Sequence, residues 1–198
     1  MALTLDPQRC AVMAMDFQHD ILGMTPHHRE KHLLESVAQV LDAARHHGAT
    51  VIHITVSFRD DYADAPAHAP LFQEEKARGV MKAGSPGATI CDELTPKAGD
   101  IVINKHGIDP FNGTHLANVL RAKGIETLVL MGVWTNFVVE AAARTGADSS
   151  YRTVVVTDGC ASDTEAHHQF FVDTILPKLG IAATANDMIA AFGSGSGR

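Results

Sequence analysis

Residues 127–140 read TLVLMGVWTNFVVE. A five-residue run of strand length, TLVLM at 127–131, leads into a short turn, and 135–147 then has the composition of a helix. A buried strand feeding a helix is half of a βαβ unit. The same alternation extends in both directions. Upstream, CAVMAM at 10–15 reads as a buried strand, 33–46 as a helix ended by Gly48, and TVIHITV at 50–56 as a second strand. DIVIN at 100–104 is a third strand, and 114–122 a helix closed by Gly124. Downstream, TVVVT at 153–157 is a fifth strand, 164–179 a helix, 181–184 a short sixth strand and 187–192 a brief final helix. Strands alternating with helices predict a three-layer α/β/α, doubly wound domain with a six-stranded, mainly parallel sheet of Rossmann-like type. Residues 1–192 form the expected single domain. An irregular insertion at 57–99, marked by Pro66, Pro70, Pro86 and Pro96, has at most one short helix near 71–78 and suits a lid or an oligomer contact. The terminal GSGSGR, 193–198, reads as a flexible tail.

Bulk properties exclude several classes. The chain has 198 residues and a formal net charge of −7, with no Lys/Arg cluster of the kind that tracks nucleic acid. No apolar run approaches the roughly 18 residues of a membrane span, and no signal core follows the N-terminus. Cys10, Cys91 and Cys160 are scattered and odd in number, which suits a reducing cytoplasm. Many of the twelve histidines occur as adjacent pairs at 27/28, 46/47 and 167/168. Helix neighbours point about 100° apart, so these pairs do not predict a metal site. No G-x-G-x-x-G follows the first strand, and no cofactor is expected.

In an open α/β sheet, ligands bind beyond the carboxyl ends of the strands. The first strand ends in Asp16 within MDFQHD, the third runs into Lys105 within VINKHGIDPFNGT, and the fourth ends at GVWTNFVVE. An acid and an amine at neighbouring strand ends can form an ion pair in a cleft. Each alone is also an ordinary turn cap or surface lysine.

Four segments in order carry a resemblance: Asp16-x-Gln18; Lys105 with Phe111-x-x-Thr114-x-Leu116; Gly132-Val133-Trp134-Thr135-Asn136; and 154–162, VVVTDGCAS. Together they resemble the isochorismatase-like superfamily, or cysteine hydrolases, over about Leu5 to Phe192. The resemblance implies that Asp16 acts as base, that Lys105 orients it and stabilises charge, and that a cis peptide between Val133 and Trp134 turns backbone N–H groups into an oxyanion-binding cleft. It also implies a cysteine nucleophile three residues after Thr135. That residue is Val138, which has no lone pair with which to attack a carbonyl. Isochorismatase proper also lacks the cysteine and uses the aspartate to protonate a vinyl ether, with glycine at this position.

Two functions follow as expectations. The first is a hydrolase without a cysteine nucleophile, acting on a small and, given the helix N-terminus after the fourth strand, anionic molecule, with Asp16 as acid or base beside Lys105. The second is a non-catalytic member that keeps the pocket for binding or the fold for assembly. Val133, Trp134, Thr135, Gln18 and Phe111 are the expected oxyanion and pocket residues. A homo-oligomer is the expected assembly. An ammonium about 4 Å from Asp16 favours the ionised carboxylate by a few kcal/mol at an effective dielectric near 20, and burial opposes it.

Overall fold

The computed structural model describes residues 3–25 and 32–194; the His27/His28 pair and residues 195–198 of the tail lie outside them. Six strands form one all-parallel sheet: β1 (Cys10–Met15), β2 (Thr50–Val56), β3 (Ile101–Lys105), β4 (Thr127–Val133), β5 (Arg152–Ala161) and β6 (Ile181–Ala183). Their spatial order is β3-β2-β1-β4-β5-β6, the doubly wound arrangement. All six residues of β1 are buried, as expected for a central strand covered on both faces. Cys10, Val12 and Ala14 join one apolar cluster, and Ala11, Met13 and Met15 join the other. Period-two alternation thus divides one apolar run between two helical layers.

Between β1 and β2 come α1 (His19–Gly23) and α2 (Leu33–His46). The latter buries Leu33, Val37, Val40, Leu41 and Ala44, a stripe of helical period. It stops where Gly48 takes φ 77, a left-handed conformation that favours glycine. After β2 and β3 come α3 (Pro70–Arg78) and α4 (Leu116–Ala122), and after β4, β5 and β6 come α5 (Glu140–Asp148), α6 (Glu165–Phe170) and α7 (Ala185–Ser194).

Several boundaries differ from the sequence reading for identifiable reasons. The expected 164–179 helix breaks after α6 into a π-helical turn at Phe171–Ile175 and a 3₁₀ turn at Leu176–Lys178. Pro177 lacks the N–H that an α-helix would need. The helix expected from 114 starts at Leu116; Thr114 lies in the turn before it, where its hydroxyl accepts from the Leu116 amide at 3.1 Å. The fifth strand continues to Ala161 through an irregularity, with Leu130 opposite Val155 and Gly132 opposite Cys160. Helix α7 runs through Gly193 and Ser194, which were assigned to the tail.

Asp100 stands just outside β3, not within it, because its side chain is committed elsewhere. It accepts from Arg45 Nη2 at 2.7 Å and Nε at 3.2 Å and from the Lys97 amide at 2.8 Å, and His53 Nε2 lies 3.2 Å away. Burial pushes its carboxyl up, but Arg45, the Lys97 amide and His53 outweigh burial and hold it below the ordinary value. Burial, partly offset by Asp100, lowers His53. Asp100→Asn is expected to destabilise the fold by about 2–3 kcal/mol at pH 7 in urea unfolding. The depressed folded value means this contribution is complete above 3.8 and lost as pH falls through the folded value. An unchanged urea midpoint would contradict that assignment.

The insertion is an integral wall. It contains α3, with Pro70 in its first turn and Gly79 at φ 68 closing it, and 3₁₀ turns at Pro86–Ala88 and Asp92–Leu94. Phe58, Tyr62, Phe72, Met81, Cys91 and Leu94 are buried. Backbone bonds from Cys91 N to Phe17 O at 2.9 Å and from Phe58 N to Met81 O at 2.9 Å tie it down. Among the described residues no helix is long and apolar enough to cross a membrane.

Candidate active site

The strand order reverses between β1 and β4, which opens a crevice at their carboxyl ends. Asp16 is the first residue past β1 and turns with φ 62, a left-handed conformation that aspartate tolerates better than most side chains. Its amide still donates to Ile54 O at 2.9 Å, so the backbone at Asp16 stays tied to β2. Lys105 is the last residue of β3, two strands from β1. Its side chain spans that separation, and Nζ donates to Asp16 Oδ2 at 2.9 Å and to Gly107 O at 2.9 Å. Both side chains are buried. Asp16 Oδ1 is also buried and has no hydrogen-bond partner among the described residues.

These two side chains open onto a cavity of about 50 Å³. One water needs about 10–15 Å³ of such space, so the cavity has room for a few waters or the head of a small molecule. Val133, Trp134, Phe137 and Val138 line it from the end of β4 and the turn beyond. Leu71, Phe72 and Glu75 line it from α3. The Val133–Trp134 peptide is cis. Trp134 Nε1 donates to Thr25 Oγ1 at 2.7 Å, which fixes the indole at the rim.

Burial pushes the Asp16 carboxyl above its ordinary value; the charge and hydrogen bond of Lys105 pull the other way without prevailing. Burial likewise pushes Glu75 up to about 7, with Lys105 lowering it and Asp16 raising it. The three cysteines are buried and none lines the cavity. Burial pushes each thiol up to about 12, the inert range for a structural cysteine.

The structure therefore brings Asp16, Lys105, Val133, Trp134 and Val138 together around one cavity. Gln18 and Thr135 stand behind it. Gln18 is fully buried; its Nε2 donates to Val56 O at 2.8 Å and Ala88 O at 2.7 Å, and its Oε1 accepts from Val56 N at 2.8 Å. That set of bonds clamps the insertion to β2 and leaves the amide no role at the cavity surface. Thr135 is fully buried, with Oγ1 2.9 Å from His168 Nδ1. Beside it, Ser162 Oγ donates to Asn136 Oδ1 at 2.6 Å, so these side chains brace the turn after β4. Phe111 is a correction: its ring faces Tyr151 at 6.4 Å, and it shares a separate surface hollow with Arg9 and Arg121. The Asp109 carboxylate bonds the Phe111 amide and Thr145 Oγ1, which turns this loop away from the crevice.

Glu75 went unread in the sequence. It lies in a polar helix, QEEKAR, where only its spacing of three from Phe72 marks it as inward-facing. Among the described residues no group of three or more His, Cys, Asp and Glu side chains is arranged to hold a metal.

Comparison with known proteins agrees with this fold. Residues 10–187 match the isochorismatase domain. The maleamate amidohydrolase of Pseudomonas putida is 30% identical over 159 residues, covering 78% of this chain and 71% of that protein. The ureidoacrylate amidohydrolase RutB of Rhizobium rhizogenes is 29% identical over 221 residues, covering 95% and 85%. The solved structure of an isochorismatase family protein from Burkholderia thailandensis superposes with a TM-score of 0.82 at 29% identity, covering 98% of this chain and all of that one.

Proposed function

The chain belongs to the isochorismatase family, and from that premise we propose that it is a hydrolase of a small molecule that works without a cysteine nucleophile, with Asp16 as its acid–base group and Lys105 as the electrostatic partner. The supporting observation is the buried Asp16–Lys105 pair at 2.9 Å, facing a cavity whose wall at the expected nucleophile position is Val138. The two amidohydrolases among its relatives favour an amide or ureido bond, and a vinyl ether is compatible with the same acid–base group.

The chemistry follows from the balance at Asp16. Because burial outweighs Lys105, the carboxyl keeps its proton to higher pH than a free aspartate. It can therefore protonate the atom whose bond is to break, and the carboxylate left behind is stabilised by the Lys105 ammonium. Water adds at the carbon in place of a thiolate, and the proton that water releases returns to Asp16. The apolar walls contributed by Phe72, Trp134 and Phe137 exclude further water. The proposal includes a cytoplasmic homo-oligomer.

Val138 also favours a second reading, binding without turnover. A panel of small amides, ureas and vinyl ethers, followed by product release, separates the two. Turnover of at least one member by the wild-type protein is expected, and none across the panel would leave binding alone. Val138→Cys is expected to raise amide hydrolysis by roughly tenfold or more, since it places a thiol in the cavity with Asp16 and Lys105. No gain, with the new thiol shown to react with an alkylating agent, would mean that the remaining groups are not arranged for acyl transfer.

A further inference from the structure

Glu75 is the third charged side chain of the cavity, after Asp16 and Lys105. It is nine-tenths buried, yet its Oε2 has no hydrogen-bond partner among the described residues. Asp16 Oδ1 is in the same condition, and Asp16 is a lining residue of the same cavity. Buried polar atoms are nearly always paired, and leaving one bare costs on the order of 1–3 kcal/mol. Two such oxygens, on carboxyl groups that share one cavity, therefore point to a polar ligand there. The charges around Glu75 leave the need for a donor in place. Lys105 is committed to Asp16 Oδ2 and Gly107 O, while Arg78 and Glu74 on its own helix offset one another in sign. Tyr62, which also feels the charge of Glu75, donates its hydroxyl to Val80 O at 2.6 Å.

We infer that Glu75 is a specificity-determining residue and that the cavity selects a small molecule whose head carries N–H donors, neutral or cationic, and rejects a free carboxylate at that position. This deepens the hydrolase reading and rests on it, naming the substrate class for the same site. The anionic substrate expected from the helix after β4 does not fit beside Glu75, whose buried Oε2 lacks a donor and whose neighbouring ammonium, Lys105, is committed to Asp16 Oδ2 and Gly107 O. An amide or amidinium nitrogen, by contrast, carries the N–H donors that Glu75 Oε2 lacks. Glu75 lies on α3, in the insertion, so the segment that closes the cavity also carries the group that reads the ligand.

Three probes of nearly equal shape test this: acetamidinium, acetamide and acetate. Their affinities are measured by NMR titration of the full chain at pH 8.5, where Glu75, titrating near 7, is ionised. Acetamidinium is expected to bind tightest, acetamide next and acetate weakest, with roughly tenfold or more between the first and last. Glu75→Gln is expected to cut the acetamidinium-to-acetate ratio by about tenfold, because it keeps the shape and removes the charge. Acetate binding as tightly as acetamide, no binding of acetamidinium, or an unchanged ratio in Glu75→Gln would each overturn the inference. The wild-type order needs no variant, so a misfolded Glu75→Gln would not rescue it. The binding order and the panel turnover are read separately. The expected order without turnover sinks the hydrolase reading alone, and turnover with the order reversed sinks only this inference.

Discussion

Asp16→Asn is expected to lower turnover of whichever panel substrate the protein hydrolyses by roughly 10²–10⁴-fold, the usual worth of a positioned acid–base group. Asparagine keeps the shape, accepts from Lys105 as aspartate does, and tolerates the left-handed backbone at this residue, where φ is 62. It has no proton to give and no carboxylate to receive one. The loss should therefore appear in kcat with the fold retained, and far-UV circular dichroism should match that of the wild type. The pH profile supplies the sharper signature. Burial raises the Asp16 carboxyl, so activity that needs its protonated form should decline as pH rises through that elevated value. The residual activity of Asp16→Asn should lack this limb. Turnover within about threefold of the wild type, with the limb intact, would remove Asp16 from the chemistry and transfer the search to Glu75.

What the sequence disclosed depended on whether a residue's role is local. The cores of β1, β2 and β4 were legible because a strand buried on both faces must be apolar along its length, and Cys10–Met15 and Thr50–Val56 were bounded to the residue. The helix around Pro177 was overextended because apolar spacing continues past a proline that hydrogen bonding cannot. At the site, Asp16 and Lys105 were legible from strand ends, since the fold itself converts a strand terminus into a crevice position. Phe111 and Glu75 were not legible. Each is placed by tertiary contacts: Phe111 by Asp109 bonding across to Thr145, and Glu75 by the way the insertion folds back along Gln18 and Phe17. Neither constraint has a periodic trace in the chain.

The largest expected effect on stability belongs to Lys105→Met. In the folded protein Asp16 and Lys105 are both buried, so removing the ammonium leaves a carboxyl group without its counter-charge. Stripping one partner from a buried pair costs about 3–5 kcal/mol. The carboxyl can escape by holding a proton. At pH 7 that costs about 4 kcal/mol relative to an unfolded value of 3.8. This escape sets a ceiling, and because Asp16 is already raised in the intact protein, the net loss should be nearer 2–4 kcal/mol.

The sign with pH then follows. A carboxyl whose folded value lies above its unfolded one contributes stability below the unfolded value and loses it as pH rises through the folded one. Lys105→Met raises the folded value further, so the gap between variant and wild type should widen from pH 4.5 to pH 7.5 in urea unfolding. The double variant Asp16→Asn/Lys105→Met should recover most of the loss at pH 7.5, because it removes the orphaned carboxyl group along with its former partner. Equal losses at the two pH values, or a double variant no more stable than the single, would mean that the pair is not coupled as its 2.9 Å separation implies. Lys105 would then act only through its bond to Gly107, as a brace for the loop after β3.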